Sequence, residues 1–189
     1  MRLEMKDYLL NKAYYFFPKN IFGLDDNYMQ QAEIKKLNIH IKKAIQNEYE
    51  IWKEIIREFN SNSKYIAIDY TNFLLNQPSL HLKIVIENDG RFLKIFNLYS
   101  SLVIPYYYFS ENKYDNSEKL YVGKEVVNDS NNMDNELTKI IYDLELKFDK
   151  KILHEKFLNL KIPNISFETI QEGDFTVMNA FFNSKHIIR

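Results

Sequence analysis

The sequence predicts an α+β fold: a long helix, an antiparallel hairpin-rich sheet and C-terminal helices. Three observations lead to it. Apolar residues recur at three- and four-residue steps up to about Asn60, the period drops to two from Leu80 onward around an Asn-Asp-Gly turn, and helical spacing returns after Met133. The chain has 189 residues with no linker composition to divide it, so 1–189 reads as one domain.

A first helix is expected over Lys6–Phe16, ended by Pro18, because the residue before a proline avoids helical geometry. Asp25, Asp26 and Asn27 offer capping side chains for the long helix. Its apolar face carries Ile34, Leu37, Ile41, Ala44, Ile45, Trp52, Ile55, Ile56 and Phe59. Glu48 falls inside this stripe. A carboxylate there must find a hydrogen-bonding partner, take up a proton or reach the stripe's edge. The expectation is a mostly buried Glu48 with a Lys or Arg partner across an interface; the alternative is a buried acid of the kind active sites use.

Leu80, Leu82, Ile84 and Ile86 alternate with His81, Lys83 and Glu87, the pattern of a half-buried strand. Asn88-Asp89-Gly90 then suits a hairpin turn, with Phe92–Tyr99 as the antiparallel return. Leu102–Phe109 reads as a third strand, at an edge or bulged because Pro105 lacks a ladder donor, and Leu120–Val127 as a fourth. Leu137, Ile140, Ile141, Leu144 and Phe148 share one face of a helix over Met133–Phe148. A shorter helix is expected over Lys151–Leu158, then two strands, Ile165–Ile170 and Asp174–Phe182, turning at Gly173.

A hydrophobic fraction of 46% and a charged fraction of 27% exclude wholesale disorder. Fourteen Tyr and 14 Phe supply a large core, and the Tyr rings equally suit a partner surface. The balance of 25 basic against 26 acidic residues lacks the basic excess of general nucleic-acid binding. With no Cys, disulfides, thiolate zinc sites and a Cys nucleophile are excluded, and a reducing, cytoplasmic setting is expected. The apolar run Ala13–Phe17 is too short for a secretory signal, and no segment approaches the roughly 20 apolar residues of a membrane span.

The usual carriers of chemistry are missing. Gly23, Gly90, Gly123 and Gly173 are too scattered for a phosphate- or dinucleotide-binding loop, and no Ser has the glycines of a nucleophile elbow. His154-Glu155 begins a helical zinc motif, but Leu158 stands where the second His belongs. Glu145-Leu146-Lys147 has the letters of a nuclease element but falls within a helical stripe. His40 and His81 read as rim residues. No catalytic, cofactor or metal residue is assigned. From Glu111 to Glu136, seven carboxylates face three lysines, a solvated face or a landing site for a basic partner. Asp115, Glu118 and Asp129, with exposed Tyr106, Tyr107 and Tyr108 beside them, are the candidate partner-binding residues.

Tyr15-Phe16-Phe17-Pro18-Lys19-Asn20, Tyr28, Glu33, Leu37, Trp52, Pro78-Ser79, Ile162-Pro163-Asn164-Ile165, Gly173 and Asn179-Ala180-Phe181-Phe182 resemble pieces of bacterial immunity proteins that partner polymorphic or contact-delivered toxins. The resemblance implies an intracellular, non-catalytic protein that binds and neutralises a cognate toxin encoded nearby. The alternatives are an enzyme of unrecognised type using Glu48 and a neighbouring Tyr or His, and a structural or regulatory subunit encoded beside a secretion apparatus.

Overall fold

The amphipathic stripe folds into a 30-residue helix, α2 (Ala32–Ser61), which follows α1 (Arg2–Phe16). The computed structural model describes residues 2–61, 63–72, 77–88, 92–115, 120–125, 142 and 144–183, with side chains for all of these except 2, 3, 86–88, 92, 113–115 and 120–125. Ile34, Leu37, Ile41, Trp52, Ile55 and Phe59 of α2 are buried, each contributing about 1.5–3 kcal/mol. The helix starts later than its capping residues suggest, because Tyr28–Gln30 first form a single 3₁₀ turn.

The α2 stripe covers one face of a six-stranded sheet. Strands β1 (Ile66–Asp69), β2 (Ser79–Asn88), β3 (Phe92–Ser101), β4 (Tyr106–Asp115) and β5 (Leu120–Glu125) run antiparallel in chain order, and β6 (Lys151–Ile152) lies parallel to β4. The β2–β3 hairpin forms as expected, with His81 opposite Tyr99 and Asn88 opposite Leu93, and a bulge between Val85 and Glu87 shifts the register. Its turn, 89–91, lies outside the described residues. Leu80, Leu82, Ile84, Phe96, Leu98, Tyr107 and Phe109 face α2 and are buried.

Three expectations are corrected, and one strand is added. The third strand begins at Tyr106, not Leu102: Ser101 Oγ accepts from the N–H groups of Val103 and Ile104, each at 3.2 Å, bending 102–105 and placing Pro105 ahead of the ladder. The Lys151–Leu158 helix is replaced by β6 and a 3₁₀ turn, Glu155–Phe157, because the N–H groups of Lys151 and Leu153 pair with Pro105 and Tyr107 carbonyls. The closing hairpin is absent among the described residues: Ile165–Ile170 holds a single Phe167–Ile170 bridge, and Val177–Phe181 is a helix. A short, wholly buried apolar run reads alike as strand or helix. A capping box decides it, with Thr176 N–H donating to Asn179 Oδ1 at 2.9 Å. Finally, β1 has no counterpart in the sequence reading. Of the helix expected over Met133–Phe148, residues 144–148 are helical and most of the rest lies outside the described residues; 144–148 is α3 and Val177–Phe181 is α4 below.

β1 is an edge strand, and its outward backbone groups at Ala67 are occupied. The Asn60 side chain, at the end of α2, accepts from Ala67 N–H at 2.8 Å and donates to Ala67 C=O at 3.0 Å. The amide stands where a further strand would pair, a local defence against edge-to-edge association. Asn60→Ala is expected to cost about 1–2 kcal/mol in urea unfolding and to produce concentration-dependent association by light scattering. An unchanged midpoint and a monodisperse variant would contradict this.

Candidate functional site

Glu48 has the partner its position demands. Its Oε2 accepts from Lys150 Nζ at 2.5 Å, and its side chain is 22% exposed against 6% for Lys150. The ammonium also donates to Ser100 Oγ at 3.0 Å and to Ser101 C=O at 2.5 Å. An ammonium has three hydrogens, and all three are used. Burial lowers the Lys150 pKa, and Glu48 acts in the opposite direction. A cavity of about 290 Å³ adjoins this cluster, with His40, Phe148 and residues 101–105 on its walls. Burial and nearby Lys12 favour neutral His40. The one amine here is fully committed to holding α2, β3 and the α3–β6 connection together.

The proposed partner-binding residues scatter. Tyr107 and Tyr108 are each 1% exposed, which corrects the expectation that they are exposed. Tyr107 points toward α2 and α3 and donates to Glu145 Oε1 at 2.5 Å; Tyr108 is on the opposite face, edge-on to Phe182 at 4.9 Å. Burial raises both phenol pKa values. Tyr106 is half-buried against Tyr8. Asp115 ends β4, with its side chain outside the described set; Glu118 and Asp129 lie outside the described residues. Lys147 pairs with Glu58 at 2.9 Å, so the Glu145–Lys147 element is structural. His154 is exposed and accepts from Lys156 N–H at 3.3 Å, and no cluster of metal-ligating residues exists among the described residues.

The sheet face turned away from α2 carries a larger recess than the one beside Glu48. Alternation puts Ile66, Ile68 and Tyr70, then Lys83 and His81, then Asn97 and Tyr99 on this outer face. Ile66 is 60%, Ile68 48% and Tyr70 55% exposed. At the other end α4 closes over it, with Ser79 Oγ donating to Phe182 C=O. Between lies a groove of about 830 Å³ lined by residues including Asp69, Thr71, His81, Lys83, Asn97 and Tyr99, within the range of ligand-sized pockets. His81 stacks on Tyr99 at 4.0 Å, and Tyr99 on Tyr108 at 4.7 Å. His81 Nε2 lies 3.2 Å from Asn97 Oδ1. Burial drives the His81 pKa down to about 4, so His81 is neutral at physiological pH. Reading His81 as a rim residue is thereby corrected. The bulge before Glu87 shifts the β2–β3 register, so the pairing of His81 with Tyr99 cannot be counted from the turn.

The short sequence pieces around Asn20, Tyr28, Trp52, Asn164 and Phe181 lie largely in structural junctions and the core. Asn20 N–H donates to Asn164 C=O at 2.8 Å, with both residues in left-handed backbone conformations, and Tyr28 OH donates to Ser166 C=O at 2.8 Å. Trp52, Phe181 and Phe182 are core. No protein-family model, curated protein or solved structure matches the chain.

Glu48→Ala should destabilise by about 3 kcal/mol, since it strands a buried ammonium, and Glu48→Leu with Lys150→Met should recover most of that loss in urea titrations. Equal losses in the single and double variants would remove the pair from this role. His81 makes a separate prediction. The unfolded state takes up a proton below its ordinary value of 6.5, whereas the folded state does so only near pH 4. Stability from neutral His81 is therefore full above pH 6.5 and falls by up to about 3 kcal/mol as pH drops through that window. Thermal unfolding of His81→Gln should show a shallower acid slope than the parent; identical slopes would refute the assignment.

Proposed function

We propose that this protein works by stoichiometric binding to another protein, as an immunity protein that neutralises a cognate bacterial toxin in the cytoplasm. The observation that carries the binding half is the outer sheet face: Ile66, Ile68 and Tyr70 are about half exposed or more beside a polar groove. Exposed apolar and aromatic side chains around a few polar groups have the makeup of a recognition surface. The toxin half rests on the sequence resemblance. The acidic 111–136 segment, with Asp115, Glu118 and Asp129, supplies a field that would steer a basic partner. No helix among the described residues is long and apolar enough to cross a membrane.

The competing reading is an enzyme built on Glu48. The cavity beside Glu48 and His40 favours it. Against it stands Lys150, whose three hydrogens are spent on structural acceptors.

Co-expression with the product of the adjacent upstream gene tests the proposal. The expected result is rescue of growth and a salt-sensitive, co-purifying complex. Tyr70→Ala and Ile68→Asp should each weaken that complex at least about tenfold by calorimetry, as central anchors do. A harmless neighbour, or a toxic one that forms no complex, would reject the immunity role.

A further inference from the structure

The groove on the outer face has a donor set of its own. Asn97 is 2% exposed and uses one arm of its amide, Oδ1, toward His81 Nε2. With the ring neutral, Nε2 carries the hydrogen in that contact. The other arm, Nδ2, is buried and has no hydrogen-bond partner among the described residues, and a buried donor without an acceptor is an unfavourable arrangement that a bound acceptor relieves.

Two charged residues line the groove among those described, Asp69 and Lys83. Both Asp69 oxygens are engaged, Oδ2 by Tyr49 OH at 2.8 Å and Oδ1 by Thr71 N–H at 2.9 Å. Lys83 is the direct cross-strand partner of Asn97, and such side chains leave the sheet about 5 Å apart. Its ammonium sits 3.5 Å over the Tyr70 ring, which keeps it on this face. The groove wall thus carries a buried amide donor on β3 and an ammonium on the neighbouring β2, with a carboxylate that is already satisfied. An oxyanion with two acceptor atoms is the group that uses both.

We propose that the groove binds a carboxylate, supplied by an Asp or Glu side chain of the partner protein, with Asn97 Nδ2 and Lys83 Nζ each donating to it. This rests on the reading of the outer face as a docking surface and specifies its chemistry. A partner that is basic overall can still place one acid here: long-range charge governs approach, and the local pair governs register.

The test has two arms. In the first, the ¹⁵N-labelled full chain is titrated with acetate and with N-acetylglutamate, and the Asn97 side-chain amide resonances are followed. Saturable shifts are expected with both, at least tenfold weaker in Lys83→Met and retained in Lys83→Arg; acetamide should give none. In the second arm, the partner complex is measured with Asn97→Asp and Lys83→Met, each checked for folding by circular dichroism, and each should weaken it at least tenfold. A complex that forms but is indifferent to both variants, with Asn97 unmoved by acetate, overturns the carboxylate site and leaves the binding reading intact. Acetate binding at Asn97 in a chain that forms no protein complex overturns the partner as the source and assigns the site to a free acid.

Discussion

A lysine ammonium cannot be taken from water without replacements for its lost hydration, and the arrangement around Lys150 is organised by that requirement. The acceptors come from Glu48 in the middle of α2 and from Ser100 and Ser101 at the end of β3. Because these belong to a helix and a strand distant in sequence, one side chain fixes where α2 crosses the sheet. Asp149 adopts a left-handed backbone, φ 50°, immediately before it, turning the chain from α3 into β6. With α2 held on one face, Leu80, Leu82, Ile84, Phe96 and Leu98 form the floor of the core, and the opposite face is left for other uses.

The two faces differ in kind. Toward α2 the strands present mainly aliphatic and Phe side chains that need only exclusion from water, with Ser100 and Tyr107 as the hydrogen-bonded exceptions. The outer face presents His81, Asn97, Tyr99 and Lys83, groups with directional requirements. Stacking of His81, Tyr99 and Tyr108 holds these side chains upright across three strands, so the groove is shaped before anything enters it. Preorganisation of this sort lowers the ordering cost of association.

Much of this was legible in the residues, and the gaps have physical causes. The α2 stripe and the β2–β3 alternation were readable because each is long and one-sided. Glu48 was conspicuous because a carboxylate in an apolar stripe demands an explanation, but its partner lies about 100 residues on, where no local pattern marks Lys150. β1 escaped because it is four residues long and its polarity is inverted: Ala67 and Asp69 turn inward while Ile66 and Ile68 face solvent. Misreading α4 as a strand concealed the packing of Phe182, which follows the helix, edge-on against Tyr108. The groove was invisible because it needs the register of three strands and a bulge at once.

Asn60 has a consequence for how the sheet is assembled. Slipping a strand by one residue exchanges its two faces, and in β1 the Asp69–Tyr49 hydrogen bond is the side-chain contact that opposes a slip. The Asn60 amide recognises the backbone of Ala67 alone, seven residues away, a loop short enough that closing it costs little entropy. The helix end therefore dictates the phase of the strand without reference to the distant hairpin. It is a ruler laid along the chain: once α2 is formed, the choice of which β1 side chains become core and which become surface has been made locally.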